Sequence, residues 1–164
     1  MQQFDLGHYP SLKFKVNVVY SGDHLKKISI SPSKTFGIEA EGPAHLEIQT
    51  MIDWLQRYFE GFPRKTPDLP FQTLSSFTSK VMNAISTIPF GETRTYSEIA
   101  RMVGIPDGAR AVGTACGRNP FLIMVPCHRV VAKRGLGGYA AGIEVKKALL
   151  KFERWSLHTA LDKH

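Results

Sequence analysis

The sequence predicts an α+β fold, in which a small N-terminal sheet-containing domain is followed by a mainly helical C-terminal domain with a helix-turn-helix. Three observations lead there. Apolar residues alternate with strand period from Phe14 to Tyr20. In later segments they recur at helical spacing. Between the two parts lies Gly61-Phe62-Pro63-Arg64-Lys65-Thr66-Pro67-Asp68-Leu69-Pro70, whose three prolines make it the best linker in the chain. We expect an N-terminal domain with its linker over residues 1–72 and a second domain over 73–164.

The elements follow in order. Phe14, Val16, Val18 and Tyr20 share one face of a strand, Ser21-Gly22-Asp23 turns the chain, and Leu25 to Ile30 return as a second strand. Ile48, Met51, Ile52, Leu55 and Phe59 lie on one face of a helix from Leu46 to Phe59. Beyond the linker, Phe77, Val81, Ala84, Ile85 and Ile88 form a helical stripe stopped by Pro89-Phe90-Gly91. Thr95-Tyr96-Ser97-Glu98 reads as a capping box, opening a helix that runs to about Val103 with Gly104 at its C′ position. Asp107 is the expected N-cap of a second helix over about 108–117. These two short helices across a turn make the helix-turn-helix pattern. Phe121 to Val125 is expected as a strand, and a last helix runs from Ile143 to about Trp155.

Composition narrows the function classes. The 164 residues are 43% hydrophobic and 21% charged, close to globular averages. Two cysteines, Cys116 and Cys127, cannot build a disulfide framework. Met1 to Pro10 shows no signal peptide, and Phe121 to Val125 is too short to span a bilayer. We expect a cytoplasmic protein (nuclear in a eukaryote), monomeric and with no membrane partner. The six histidines, among them His8, His24 and His45, form no His-x-x-x-His or Cys/His cluster, so neither metal nor cofactor is expected. Gly135-Leu136-Gly137-Gly138-Tyr139 lacks the context of a phosphate cradle and reads as a tight loop.

The net charge of +7 is segregated. Residues 1–74 hold eight basic and eight acidic side chains, whereas residues 75–164 hold thirteen and six. A basic half attracts a polyanion through counterion release, and it coincides with the helix pair. The second of those helices is built from Ala109, Ala111, Gly113, Thr114, Ala115 and Gly117, with Arg110 as its one long side chain before Arg118. Small residues permit close packing on a neighbour, or close approach to a nucleic-acid backbone with Arg110 as probe. Base-reading side chains are almost absent, which argues against sequence-specific readout.

Pro126-Cys127-His128-Arg129 holds the candidate nucleophile. A buried packing role is the ordinary reading of a cysteine beside a strand. Against it, His128 and Arg129 are both able to stabilise a thiolate. Neighbours in a regular strand face opposite ways, so Cys127 and His128 need a turn at Pro126, or a bridging water, to cooperate. A third group should orient the histidine, and Glu153 on the last helix is a candidate. Cys116 is either packing or a second reactive thiol. Tyr96 and Tyr139 are ordinarily packing residues.

The chain resembles the O6-alkylguanine-DNA alkyltransferases. The resemblance is carried by Ile-Pro-Phe-Gly-Glu-Thr (88–93), Thr-Tyr-Ser-Glu-Ile-Ala (95–100), Arg-Ala-Val-Gly (110–113), Arg-Asn-Pro (118–120), Pro-Cys-His-Arg-Val-Val (126–131), Gly-Tyr (138–139) and the segment around Lys146, Leu149, Leu150 and Glu153. It covers residues 77–154. It implies repair of duplex DNA in which Cys127 accepts the alkyl group from O6 of guanine. His128 would act through a water as base, Glu153 would orient His128, and Asn119 would hold the active-site turn. Tyr96 would guard phosphate geometry as the nucleotide rotates, and hydrogen-bond the departing guanine. Arg110 would fill the gap left by the flipped nucleotide. Tyr139, Ala140 and Leu122 would line the substrate site, with a backbone N–H from Ala140 near O6 and the Val130 carbonyl accepting from the base. Contacts to DNA, largely without sequence specificity, are assigned to Arg110, Tyr96, Ser97, Ala109 and Lys133.

The thioether left on Cys127 would end the protein's activity after one transfer. Some relatives carry a second proline where Leu122 stands, a serine where Ala140 stands and a tryptophan where Met82 stands. Others bind zinc through an N-terminal cysteine that this chain lacks. Two alternatives remain: a lesion-binding protein that only flags damage, and a helix-turn-helix regulator.

Overall fold

The structure, a computed structural model, describes residues 2–4, 12–42 and 46–161. His8, His45 and most of the segment read for a signal peptide lie outside these. The chain divides into two compact units, Met1–Leu69 and Pro70–His164.

The first unit is a four-stranded sheet with a helix. Strands β1 (Gln2–Phe4), β2 (Phe14–Ser21), β3 (His24–Pro32) and β4 (Gly37–Glu41) are ordered β1-β4-β2-β3. The β2–β3 hairpin forms where the alternation predicts it, with a register shift between Val19 and Tyr20. β4 runs parallel to β2 and antiparallel to β1. Neither β1 nor β4 is among the expected strands, since each is too short to show a period. Phe14, Val16, Val18 and Tyr20 are buried, and α1 (Leu46–Phe59) buries Ile48, Met51, Ile52, Leu55 and Phe59 as its stripe requires. Its bounds are those read from the sequence.

The second unit is helical apart from a short parallel pair. α2 (Ser76–Ser86) is capped by Ser75, whose hydroxyl accepts from the Thr78 amide. Strand β5 (Arg94–Thr95) pairs with β6 (Val130–Val131), tying the start of the helix pair to the segment just after Cys127. α3 (Tyr96–Met102) carries the expected capping box between Thr95 and Glu98. Its end is a Schellman motif: Gly104 has φ +83°, its amide bonds the Arg101 carbonyl, and the Ile105 amide bonds that of Ala100. α4 (Ala109–Gly117) follows, and α5 (Ile143–Leu161) closes the unit, running past Trp155.

Two local expectations are corrected. Asp107 does not cap α4; Gly108 does, without a side-chain bond. The Gly108 amide closes a turn onto the Ile105 carbonyl at 2.7 Å, and a Cβ at Gly108 would meet Ile105 Cδ1 at 2.2 Å. This tight approach leaves Asp107 on the outside of the turn. Phe121–Val125 is not a strand either. The Val125 amide bonds back to the Phe121 carbonyl, and Ile123 lies in the left-handed region at φ +74°. All five side chains are buried, so a folded turn satisfies the apolar run as well as a strand would.

Among the described residues, no helix is long and apolar enough to cross a membrane.

Candidate active site

The site starts from one stripe of α5. Lys146, Leu149, Leu150, Phe152, Glu153 and Ser156 are buried, so the helix carries two charges, two turns apart, into the core. A buried charge survives only with partners. Glu153 has several. His128 Nε2 lies 2.6 Å from Oε1, the Arg129 guanidinium donates to both carboxylate oxygens at 2.9–3.1 Å, and the Gly91 amide donates to Oε2 at 2.9 Å. Arg129 also donates to the Ile88 carbonyl at 2.7 Å. Gly91 sits at φ +79°, and a Cβ there would meet Leu157 Cδ1 at 2.2 Å. The Ile-Pro-Phe-Gly turn is thus clamped to the same carboxylate as the histidine.

The 3-10 turn Cys127–Arg129 is the break after Pro126 that cooperation between Cys127 and its neighbours needs. It aims His128 and Arg129 at α5 and Cys127 elsewhere. Asn119 holds the sulfur. Its Nδ2 donates to the Val125 carbonyl at 2.9 Å and to Cys127 Sγ at 3.1 Å, while its Oδ1 accepts from the Phe121 amide at 2.9 Å. One buried side chain therefore replaces the missing strand partners of the 121–125 turn and points a donor at the thiol. Ile123's left-handed backbone is held by this enclosure; such strain costs about 1–3 kcal/mol and clusters at functional sites.

Lys146 answers the other charge. Its ammonium donates to the Val130 carbonyl at 2.6 Å and the Gly138 carbonyl at 2.9 Å, and lies 5.8 Å from the Tyr96 ring centroid. It joins β6 to the glycine loop and places a positive charge near both thiols. The Val130 carbonyl, expected to face the substrate, is thus already engaged by Lys146. Arg129, read as a stabiliser of the thiolate, serves Glu153 instead.

Electrostatics assign the resting states. Burial pushes the Cys127 thiol up to about 11, against the pull of the Asn119 amide and Lys146, so the sulfur rests protonated at neutral pH. Burial also holds His128 below its ordinary value despite Glu153, so the imidazole is neutral. Since a carboxylate only accepts, Nε2 carries the proton and Nδ1 is the basic nitrogen. Burial would raise Glu153, yet His128 and Arg129 bring it down to about 2. With the imidazole neutral, the Arg129 guanidinium is the charge that holds it ionised.

A pocket of about 580 Å³ opens over Cys127, lined by Tyr96, Ala109, Arg110, Gly113, Cys116, Gly117, Gly138, Tyr139 and Ala140. Ala109, Gly113, Cys116 and Gly117 follow helical spacing, so the small-residue face of α4 is the pocket's wall. Tyr96 reaches across at the start of α3; its hydroxyl donates to the Gly138 carbonyl at 3.4 Å, and a Cβ on Gly137 would strike its ring at 2.7 Å. The Tyr139 hydroxyl is buried without a hydrogen-bond partner among the described residues.

Of the expected residues, Cys127, Tyr96, Ala109, Arg110, Tyr139 and Ala140 meet at this pocket. Asn119, His128 and Glu153 stand behind it, buried. Leu122 is buried in the 121–125 turn and does not line the pocket, while Ser97 is partly exposed and Lys133 exposed, both outside it. Lys146 lies in the segment that carries the resemblance, yet no local pattern marks it for a role: its partners at 130 and 138 become visible only in the fold. Among the described residues, no group of three His, Cys, Asp or Glu side chains is placed to hold a metal ion.

Comparisons with known proteins point one way. Residues 76–155 match the family described as 6-O-methylguanine DNA methyltransferase, DNA binding domain. A probable methylated-DNA--protein-cysteine methyltransferase of Acanthamoeba polyphaga mimivirus is 40% identical over 140 residues, covering 85% of this chain and 89% of that protein. A methylated-DNA--protein-cysteine methyltransferase of Mycobacterium tuberculosis is 47% identical over 105 residues, 63% of each chain. The crystal structure of Mycobacterium tuberculosis OGT in complex with DNA superposes with a TM-score of 0.68 at 33% identity, covering 88% of this chain and 94% of that one.

Two predictions follow from the charges. Glu153's folded value lies below its ordinary 4.5, so its contribution to stability is fully present above about pH 4.5 and is lost as pH falls towards 2. Urea unfolding at stepped pH should show a loss on the order of a few kcal/mol across that window. Glu153→Gln should start less stable and lose less. Separately, Lys146→Met removes the cation near the thiol. Iodoacetamide labelling of Cys127 should slow about tenfold at pH 7, with its pH profile displaced upward by about one unit.

Proposed function

The chain belongs to the O6-methylguanine-DNA methyltransferase family, and from that membership we propose how its own residues carry the reaction. The protein is a transferase that repairs DNA by moving an alkyl group from O6 of guanine to a cysteine; Cys127, the one cysteine held by a buried donor at a pocket floor, is the acceptor. That observation carries the assignment.

The partner is double-stranded DNA containing O6-alkylguanine, bound by a monomer largely without regard to sequence. The alkyl group is hidden in a duplex, so the nucleotide turns out into the pocket, a step that a damaged pair makes easier. Arg110, exposed at the pocket's edge on α4, occupies the space left behind. Ser97, Ala109 and Lys133 meet the DNA backbone. Within the pocket, Tyr139 and Ala140 border the base, with the Ala140 amide near O6. Tyr96 exchanges its long bond to Gly138 for one to guanine.

His128 takes the thiol proton through one water at Nδ1, and Glu153 keeps the ring in the tautomer that makes Nδ1 basic. The positive charge that grows on His128 is met by the carboxylate already in place. The sulfur then displaces guanine from a saturated carbon, and hydrogen bonds to the departing base stabilise its charge. Lys146 supports both anions, the thiolate first and the guanine later. No group at the site is disposed to cleave a thioether, so each molecule acts once.

The lesion-flagging alternative would require a pocket closed to the sulfur, whereas Cys127 lines this one. A sequence-reading regulator would need polar side chains on α4, which instead presents small residues to the pocket.

Incubation with duplex DNA carrying O6-methylguanine should raise the protein mass by one methylene, at one equivalent, mapped to Cys127 and lost in Cys127→Ser. Tight binding without a mass gain would establish a lesion binder instead. Arg110→Ala should slow repair in duplex DNA by about tenfold or more, the flipped state losing roughly 1.4 kcal/mol or more of support, while leaving attack on free O6-methylguanine nearly unchanged. Equal losses on both substrates would remove the role given to Arg110.

A further inference from the structure

The pocket contains a second sulfur that the reaction above does not use. Cys116 lies on the small-residue wall of α4, and both it and Cys127 line the same pocket. Asn119 couples the two positions: its amide N–H donates to the Cys116 carbonyl and its side chain to Cys127 Sγ, each at 3.1 Å. We propose that Cys116 is a second nucleophile that acts after Cys127 on O6-(2-haloethyl)guanine lesions, closing an ethylene bridge between the two sulfurs. The inference rests on the reading of Cys127 as the alkyl acceptor.

The steps balance. Cys127 sulfur bonds to the carbon attached to O6, that carbon–oxygen bond breaks, and guanine departs with the thiol proton. Cys127 now carries a 2-haloethyl thioether, itself an alkylating agent. Cys116 sulfur then bonds to the terminal carbon, the carbon–halogen bond breaks, halide leaves, and the Cys116 proton passes to water in the open pocket. The product is a dithioether, with no oxidant or reductant required.

The local charges favour this order. Burial is the main cause that holds the Cys116 thiol up at about 12, above Cys127 at about 11, so Cys127 ionises first, and Lys146 favours the thiolate at both. Once Cys127 is a neutral thioether it no longer competes for that cation, and Lys146 is left to Cys116 alone. The other nucleophiles near the pocket are less suited. The Lys146 ammonium is bound to two carbonyls, and the Tyr96 phenol is raised by burial and by both sulfurs. A methyl lesion offers no second leaving group, so Cys116 has no part in methyl transfer.

The test uses the full chain and duplex DNA freshly treated with a chloroethylnitrosourea and freed of reagent, beside a duplex carrying O6-methylguanine. Trypsin cuts after Arg110, Arg118 and Arg129, separating the two cysteines into peptides 111–118 and 119–129. The chloroethylated DNA should yield these peptides joined by one ethylene bridge, resistant to reduction. Cys116→Ser should instead leave a hydroxyethyl group on Cys127. The wild-type peptide map decides the matter even if that variant does not fold. Cys127 bearing a hydroxyethyl or chloroethyl group, or tethered to DNA, with Cys116 unmodified, would overturn the proposal while the methyl arm still showed transfer to Cys127. Absence of a methyl gain at Cys127 would overturn the reading of Cys127, and the bridge with it.

Discussion

The Glu153 carboxylate is the constraint on which the site depends. It is fully buried on α5, where an ionised group without partners would cost several kcal/mol. Its neutralisation therefore dictates where other parts of the chain must be. Arg129 has to approach from the Cys127–Arg129 turn, His128 from the same turn, and the Gly91 amide from the end of the α2 connection. Because Arg129 also holds the Ile88 carbonyl, the turn before β5 is fixed from both ends. β5 then pairs with β6, and Tyr96 begins the next helix directly. The placement of Tyr96 over the pocket is thus a consequence of where one buried charge finds its partners.

Lys146 is the complement of this arrangement. Glu153 has a cation and an imidazole; among the described residues Lys146 has carbonyl oxygens and an aromatic face, and no carboxylate. Carbonyl dipoles and a π face solvate an ammonium without neutralising it. The pocket therefore carries unneutralised positive potential at rest, beside a sulfur that burial keeps protonated. Charge at the sulfur becomes favourable as a proton leaves, and the cation needs no movement to meet it. That is electrostatic preorganisation in the ordinary sense, with the reorganisation completed during folding.

How much of this was legible from sequence follows from the range of the interactions. α1, the β2–β3 hairpin and the Thr95–Glu98 cap rest on neighbours within four residues or on simple periodicity, and each appears as expected. The 121–125 turn does not, because an apolar run records burial and not backbone shape. What bends it is an amide side chain at Asn119 bonding forward to residues 121, 125 and 127. Asp107 failed as a cap because Ile105 and Gly108 approach more tightly than a capping rule foresees. At the site, Cys127 and His128 stood out by their adjacency and Glu153 only as a candidate third group; the pairing of residues 128 and 153 was fixed by the resemblance, since they share no local pattern. The buried role of Lys146 was invisible for the same reason. A lysine on a helix is read as solvated unless its partners, here residues 130 and 138, are already known to be close.

The basic surplus of the second half also takes a more definite meaning. Arg129 and Lys146 are buried, where they meet a carboxylate and backbone carbonyls and contribute little attachment to a polyanion. The charge available for binding belongs to exposed side chains such as Arg110, Arg118, Lys133 and Arg134, and it is screened by salt as surface charge is. Attachment and chemistry then draw on separate sets of cations. Raising the ionic strength weakens the first set and leaves the second untouched, because no counterion reaches a lysine with no exposure. On the proposed reading, salt would lower the frequency of encounters with a lesion without altering the step at Cys127. On that same reading the separation has a use: the sulfur's reactivity is set by fixed interior charges and does not vary with the environment through which the protein searches.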